Sequence, residues 1–354
     1  MPKISGKRPH RTDRNVTIVD VAREAKVSLA TTSRVINNQI HVRPEKRERV
    51  RRAMARLGYT VNAQARSLRG GLSHMVALVV RDVGTAYAGE IVRGIDLELA
   101  KSQYDLMLYT THRRKTQESE YVTMLSRGMA DGLLLILPRH PEAYLEVLRQ
   151  RHYPHVLIDH QGIDNRGPAV GATNQRGAFD ATNYLVELGH RRIGFITGDM
   201  ELGCARDRLA GYHAALKQFG IPDDPALVRE GDFFQTCGYT AANELLDLTE
   251  PPTAIFSSND VMAFGVMEAV RDHHLRIPED ISIVGFDDVP QATQVHPPLT
   301  TVRQPLEQMG RAAAQLLLEL IQEPDRLPPR IELPTELAIR ATTQKPKDRI
   351  SQPG

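Results

Sequence analysis

The 354-residue sequence predicts an α/β protein in which a small all-α head precedes a two-lobed core of parallel sheets. Three observations lead there. Residues 17–57 carry apolar side chains at helical spacing in three short runs. From Met75 onward, apolar runs of strand length alternate with amphipathic helical stretches, the pattern of parallel sheets covered on both faces. Charge is also segregated: residues 1–70 hold 17 Lys and Arg against 5 Asp and Glu, whereas residues 71–354 hold 28 against 38. A near-neutral chain is therefore a basic head on an acidic body, and basic excess confined to one small domain is the footprint of phosphate-backbone binding.

The first helix starts at Thr17, with Asp20 three positions on in capping-box spacing. Ile18, Val21, Ala22 and Ala25 then form one apolar stripe. Lys26-Val27-Ser28 makes a turn in which Ser28 caps the next helix. That helix, Leu29 to Asn37, buries Val35 and Ile36 and leaves Leu29, Ala30, Thr31, Ser33 and Arg34 to an outside partner. A plain helical hairpin in a core would share this periodicity. The layout is also that of a helix-turn-helix, whose second helix enters the DNA major groove, and the charge segregation favours this reading. A third helix has Pro44 in its first turn and Gly58 as its stop. Val50, Ala53, Met54 and Leu57 make its inner face, and Arg47, Arg49, Arg51, Arg52 and Arg56 crowd the rest. Residues 61–71, VNAQARSLRGG, hold about two turns of helix, too short to be stable alone. They read either as a linker or as a hinge helix that folds on DNA, with Leu68 wedged into the minor groove.

The segments TIVDVAREAKVS, TSRVIN, VRPEKRERV, LGY and ARSLR together resemble the lac and galactose repressor family of bacterial transcription regulators. In combination they are specific, where a lone helix-turn-helix pattern is not. The resemblance implies Leu29, Ala30 and Arg34 as base-reading positions and Leu68 as a paired minor-groove wedge. The DNA-contacting set expected is Thr17, Ser28, Leu29, Ala30, Thr31, Ser33, Arg34 and Asn37, with Asn62, Ala65, Arg66 and Leu68 from the hinge. Two positions depart from the family pattern. Thr32 stands where Val is usual, and Lys26 replaces the turn Gly or Asn, which strains any left-handed backbone there.

In the body, strands are expected at 75–80, 105–110, 132–137, 155–159, 192–197, 253–258 and 281–287. Some 270 residues suit two α/β lobes. The resemblance covers residues 16–343 and implies a periplasmic-binding-protein-like core with a cleft between lobes. It also implies three chain crossings, near Gly171–Asn174, Leu299–Arg303 and Leu333-Pro334. The expected division is a basic tail (1–15), the head (16–61), hinge and linker (62–73), the core (74–345) and a terminal tail (346–354). Lobe 1 takes about 74–172 and 302–333, and lobe 2 takes 173–301 and 334–345.

Ligand chemistry belongs at the carboxyl ends of strands facing the cleft. Asp287 and Asp159 close two strands and offer acceptors for hydroxyls or a ring NH. Asn259 follows a third, and Arg208 can fork-bond oxygens. Phe233 can stack on a sugar or base, and Tyr87 lies in the loop after the first strand. The resemblance assigns Arg208, Asn259, Asp287, Phe233 and the Tyr87 region to an effector and places Cys204 nearby. The competing reading is that strand-end Asn259, Asp159 and Asp260 merely cap the next helix, that Asp288 is structural, and that Phe234 is packing. These polar groups with one aromatic platform favour a carbohydrate over a nucleobase or nucleoside.

Cys204 and Cys237 lack metal or disulfide spacing, and His273-His274 has no second ligand pair. The sequence has no GxSxG, HExxH or P-loop pattern, so neither an enzyme nor a cofactor is expected. The N-terminus has no apolar signal segment, and no apolar run spans a membrane. A cytoplasmic location follows, against a transport solute-binding protein. The C-terminus lacks heptad leucines, so a homodimer on a near-palindromic operator, controlled by a small-molecule effector, is the expected assembly.

Overall fold

The computed structural model describes residues 16–36, 41–59, 72–111, 118–139, 141–160, 167–324 and 329–347. It separates into two compact units, residues 1–71 and 72–354. In the head, α1 (Ile18–Ala25) opens on the expected capping box: Asp20 and Thr17 satisfy each other's backbone N–H groups. Lys26 ends it in the left-handed region at φ 52°. Arg49 of α3 (Pro44–Leu57) steadies this corner, donating from Nε to the Ala25 carbonyl at 3.0 Å and from Nη2 to the Lys26 carbonyl at 2.6 Å. This arginine is a strut between helices, one of the α3 arginines that periodicity placed on the open surface. Between them, α2 (Leu29–Ile36) buries Thr32 and Val35. Ile36 is only half-buried, so Thr32 takes the inward place expected for Ile36. The Thr32 hydroxyl is satisfied by the Ser28 carbonyl at 3.2 Å, which makes a polar residue tolerable there.

In the core, sheet 1 contains β1 (Met75–Val80), β2 (Asp105–Thr110), β3 (Gly132–Ile136), β4 (His155–Ile158), β5 (Ala169–Ala172) and β11 (Arg330–Leu333). Their spatial order is β11-β5-β4-β3-β1-β2. Sheet 2 contains β6 (Ile193–Ile196), β7 (Val228–Arg229), β8 (Ala254–Ser257), β9 (Ser282–Asp287), β10 (Thr300–Arg303) and β12 (Glu336–Ala338). Its order is β12-β10-β9-β8-β6-β7, and only β12 runs antiparallel to its neighbour. All seven expected strands are present. The short β5, β7, β10, β11 and β12 were not anticipated. Because β10 pairs entirely within sheet 2, the chain leaves that lobe at Gln304-Pro305, immediately after the stretch near which the crossing is expected. The C-terminal segment is pinned to lobe 2 through Lys347, which pairs with Asp280 at 2.6 Å, two residues beyond the expected end of the core.

Helix α4 (Ala86–Leu99) crosses α11 (Leu306–Gln322) over sheet 1, and α9 (Gln235–Leu246) crosses α10 (Asp260–Asp272) over sheet 2. Both crossings are reciprocal glycine contacts. A Cβ on Gly94 would run into the Glu307 carbonyl, and one on Gly310 into that of Ile91. Gly238 and Gly265 stand in the same relation to Met262 and Gln235. The helices therefore touch backbone to backbone, and each lobe packs as a stiff body.

Candidate effector cleft and DNA-reading helix

The parallel strands of both lobes end on one cleft. Tyr87, Asp159, Cys204, Arg208, Phe233, Asn259 and Asp287, the seven residues singled out from sequence, all line it. Four of its lining residues that are not glycine have positive φ: Leu137 (47°), Asp159 (56°), Phe233 (73°) and Asp287 (117°). Such backbone strain persists only where surrounding structure holds it, and it concentrates at functional sites.

Arg208, on α8 (Gly203–Gln218), is the centre of the arrangement and only 2% exposed. Its Nε donates to Asn174 Oδ1 at 2.8 Å and its Nη1 to the Ser258 carbonyl at 2.5 Å. Asp287 Oδ1 lies 3.4 Å from Nη1, and Asp159 Oδ2 lies 3.9 Å from Nη2. The Phe286 ring sits beneath the guanidinium at 3.8 Å and Phe233 stands farther off at 5.8 Å. Asn174, at the start of α7 (Asn174–Glu187), also donates to Asp159 Oδ1 at 3.0 Å. Tyr87 donates its hydroxyl to Asp159 Oδ2 at 2.8 Å, and Gln304 donates to Asp287 Oδ1 at 2.7 Å. Asp159 and Tyr87 come from lobe 1 and Arg208 and Asp287 from lobe 2, so the network spans the cleft.

Burial, opposed by Arg208 and Gln304, pushes the Asp287 carboxyl up to about 7. Burial next to Asp159 likewise raises the Tyr87 phenol, keeping it a donor. The buried Cys204 thiol is raised by desolvation and shapes the wall rather than reacting.

Several expectations need correction. Asn259 does cap a helix, accepting from the Met262 N–H at 2.9 Å, and its amide donates to the Phe233 carbonyl at 3.1 Å. Its side chain thus holds the aromatic loop while lining the cleft. Asp260 is not a cap: it accepts from the Val289 N–H at 2.9 Å and the Thr301 hydroxyl at 2.5 Å, anchoring the loop after β9. Asp159 serves the network, accepting from Tyr87 and Asn174. Asp288 is structural, paired with Arg303 at 2.7 Å and Arg340 at 2.6 Å. Phe234 lines the cleft beside Phe233, with Arg81 5.2 Å above its ring.

At the mouth, Arg139 after β3 pairs with Asp199 and, at 3.3 Å, with Glu201, both after β6. Arg81 lies 3.6 Å from Asp199. These pairs join the two lobes. Sequence reasoning missed Asn174 and Gln304, which follow short strands that themselves went unseen. It also missed Arg81, Asp82 and Asp232, which follow recognisable strands or turns and could have been found.

In the head, Leu29 is 41% exposed, and Ala30 and Arg34 are exposed beside half-buried Thr31 and Ser33. Ser28 accepts from the Thr31 N–H at 3.2 Å and so caps α2, whose open face carries the expected base-reading positions. Thr17 lies at the start of α1. Asn37, Asn62, Ala65, Arg66 and Leu68 fall outside the described residues.

Among the described residues, no group of three or more His, Cys, Asp or Glu could hold a metal ion, and no helix is long and apolar enough to cross a membrane. Residues 17–62 match the family model described as bacterial regulatory proteins, lacI family, and residues 182–343 match that of a periplasmic binding protein-like domain. The chain is 37% identical over 308 residues to the HTH-type transcriptional repressor CytR of Escherichia coli K12, covering 86% of this chain and 90% of that protein. It resembles the lac repressor dimer bound to operator and the anti-inducer ONPF, with TM-score 0.82, 30% identity and coverage of 94% of this chain and 100% of that one. The transcriptional regulator CelR–cellobiose complex gives TM-score 0.72, 33% identity and coverage of 93% and 100%. The capped reading helix, the two-lobed core and these matches over most of the chain agree: the protein belongs to the lacI family of bacterial regulatory proteins and is a DNA-binding transcriptional regulator of that family.

Proposed function

We propose that the protein is a cytoplasmic repressor that binds a near-palindromic operator as a homodimer and is controlled by a sugar held between its lobes. The observation that carries this reading is the Arg208 network. A guanidinium fixed by Asn174, Ser258 and Asp287, with Asp159 near its Nη2, sets donors and acceptors at the spacing of neighbouring hydroxyls. Phe233 and Phe234 supply a face for the ring. Asp159 and Asp287 are both engaged with the arginine, so they serve binding rather than proton transfer. The cellobiose held by CelR supports a sugar in such a cleft.

A second reading, a nucleoside, is favoured by the apolar wall of Val80, Ile136, Leu137, Leu202 and Val261, which suits a base. In either case ligand acts through its differential affinity for the DNA-competent and incompetent states. The head reads bases through Leu29, Ala30, Thr31, Ser33 and Arg34, with Thr17, Ser28, Asn37 and the hinge residues Asn62, Ala65, Arg66 and Leu68 completing the contact.

The test is a thermal-shift screen of the full chain against sugars and nucleosides, repeated with Arg208→Lys. A ligand that binds the native state raises its apparent melting point by mass action. A hit that is lost in the variant and changes operator affinity in an anisotropy titration supports the reading; a hit indifferent to Arg208 overturns it.

A further inference from the structure

The aromatic wall of the cleft rests on bare backbone. Gly198 follows β6 by two residues and does not itself line the cleft. A Cβ built on it would overlap the outer edge of the Phe233 ring, at Cζ, Cε1 and Cε2. Its φ is not positive, so the position requires glycine for room and not for backbone freedom.

The loop that carries Phe233 is tied down on both sides of the ring. Ahead of it, the Gly231 N–H donates to Thr197 Oγ1 at 3.1 Å, and that hydroxyl donates to the Gly198 carbonyl at 2.9 Å. Gly231 also lies so close to the Thr197 carbonyl and to Met262 Sδ that no Cβ would fit between them. At the ring itself, Asn259 Nδ2 donates to the Phe233 carbonyl at 3.1 Å. Beyond it, the Phe234 N–H donates to Asp232 Oδ1 at 2.8 Å. These bonds hold Phe233 at its φ of 73°, a conformation that persists only where its surroundings enforce it. The backbone therefore cannot retreat from Gly198. The ring, at the end of a side chain, can turn about χ1 and χ2, and the space it turns into is the cleft that it lines.

We infer that Gly198 is a positioning residue of the cleft that acts through Phe233: its missing side chain is the seat that keeps the ring back and leaves the ligand its space. This rests on the reading of the cleft as the effector site. A larger residue at 198 swings the ring forward. The size of that residue thus sets how much of a ligand the cleft admits, from a place behind its wall.

The experiment begins with a thermal-shift panel of ribose, glucose, cellobiose, adenosine and uridine on the full chain. The tightest binder is then carried into calorimetric titration. Gly198→Ala should weaken that binder at least about tenfold. The ligand-free melting point should move by less than about 3 °C, because a side chain that swings aside relieves the overlap. Phe233→Leu removes the three ring atoms that face Gly198 and keeps an apolar side chain. Added to Gly198→Ala, it should recover part of the lost affinity, which a merely structural defect at 198 would not allow. Affinity in the double variant equal to or below that of Gly198→Ala overturns the inference and leaves the cleft reading intact. So does native affinity in Gly198→Ala, or a larger fall in its melting point. Binding that survives Arg208→Lys unaltered, or a panel in which no member binds, overturns the cleft reading and the inference with it.

Discussion

Asn174 and Arg208 share a 2.8 Å hydrogen bond whose direction is set from the other side, because the Asn174 amide nitrogen is already committed to Asp159 at 3.0 Å. One neutral side chain therefore holds a buried cation and a buried anion in register. Asn174→Ala leaves Arg208 Nε and Asp159 Oδ1 without these partners. The expected cost is about 1–3 kcal/mol of core stability, with effector binding lost. Urea denaturation of the variant checks the first, and a stability within experimental error of the native chain would refute it.

Asp287 gives a pH dependence of definite sign. Its folded value, raised by burial to about 7, lies above that of an exposed carboxyl, about 3.9. Between those values the folded chain holds a proton that the unfolded chain has released. The stability from this group is complete below about pH 4 and is lost as pH rises through about 7. Asp287→Asn removes the proton equilibrium, so the variant should gain on the native chain as pH goes from 5 to 7.5. Denaturation midpoints at those two pH values decide it; a constant difference between the chains would be the contrary result.

Arg139 joins lobe 1 to Asp199 and Glu201 of lobe 2 at the cleft mouth. These pairs exist only while the lobes are together. Arg139→Ala should weaken effector binding severalfold, chiefly by speeding dissociation, and cost the free protein under about 1 kcal/mol, as partly exposed ion pairs do. Stopped-flow release kinetics measure it, and an unchanged off-rate would show that the mouth pairs do not restrain opening.

Gly94 has the Glu307 carbonyl where its Cβ would be. Gly94→Ala forces α4 away from α11, an overpacking expected to cost about 1–3 kcal/mol. Exposed Gly89, on the same helix with open space around it, is the control. Gly89→Ala should be neutral or stabilising in the same denaturation assay.

In the head, Arg34 stands on the open face of α2, whereas Arg49 is tied to the carbonyls of Ala25 and Lys26. Arg34→Ala should cost about 1–3 kcal/mol on a site obtained by in vitro selection and little on unrelated duplex. Arg49→Ala should instead lower the melting point of the head and weaken both equally. Anisotropy titrations on the two duplexes separate these outcomes.

The head was legible because its signals are local. Thr17 and Asp20 lie three residues apart, and Gly58 ends α3 as a lone glycine can. The strongly apolar strands were legible for the same reason. What escaped was weakly apolar or depended on tertiary partners. The strands β5 (AVGA) and β10 (TTVR) each carry a single valine as their large apolar residue, and with them went Asn174 and Gln304, whose roles exist only once Asp159 and Asp287 have been brought near. Asn259 and Asp260 are adjacent, and nothing local says which of them caps the helix. The distinction lies in Val289 and Thr301, some thirty to forty residues away, which claim Asp260. Arg49 looked like surface for the same reason, since its acceptors belong to another helix.

The three chain crossings have a final consequence. They leave from β5, β11 and β10 and enter α7, β12 and α11, and the strands involved are neighbours at one edge of each sheet. Thr173 and Thr335 stitch two of them together, with their hydroxyls 2.9 Å apart. The lobes are thus two covers bound along a single spine. Whatever molecule lies between the pages, the movement available is the same swing. On the proposed function, what a ligand changes is the angle between the two covers, and the lettering inside can be rewritten residue by residue while the binding stays as it is.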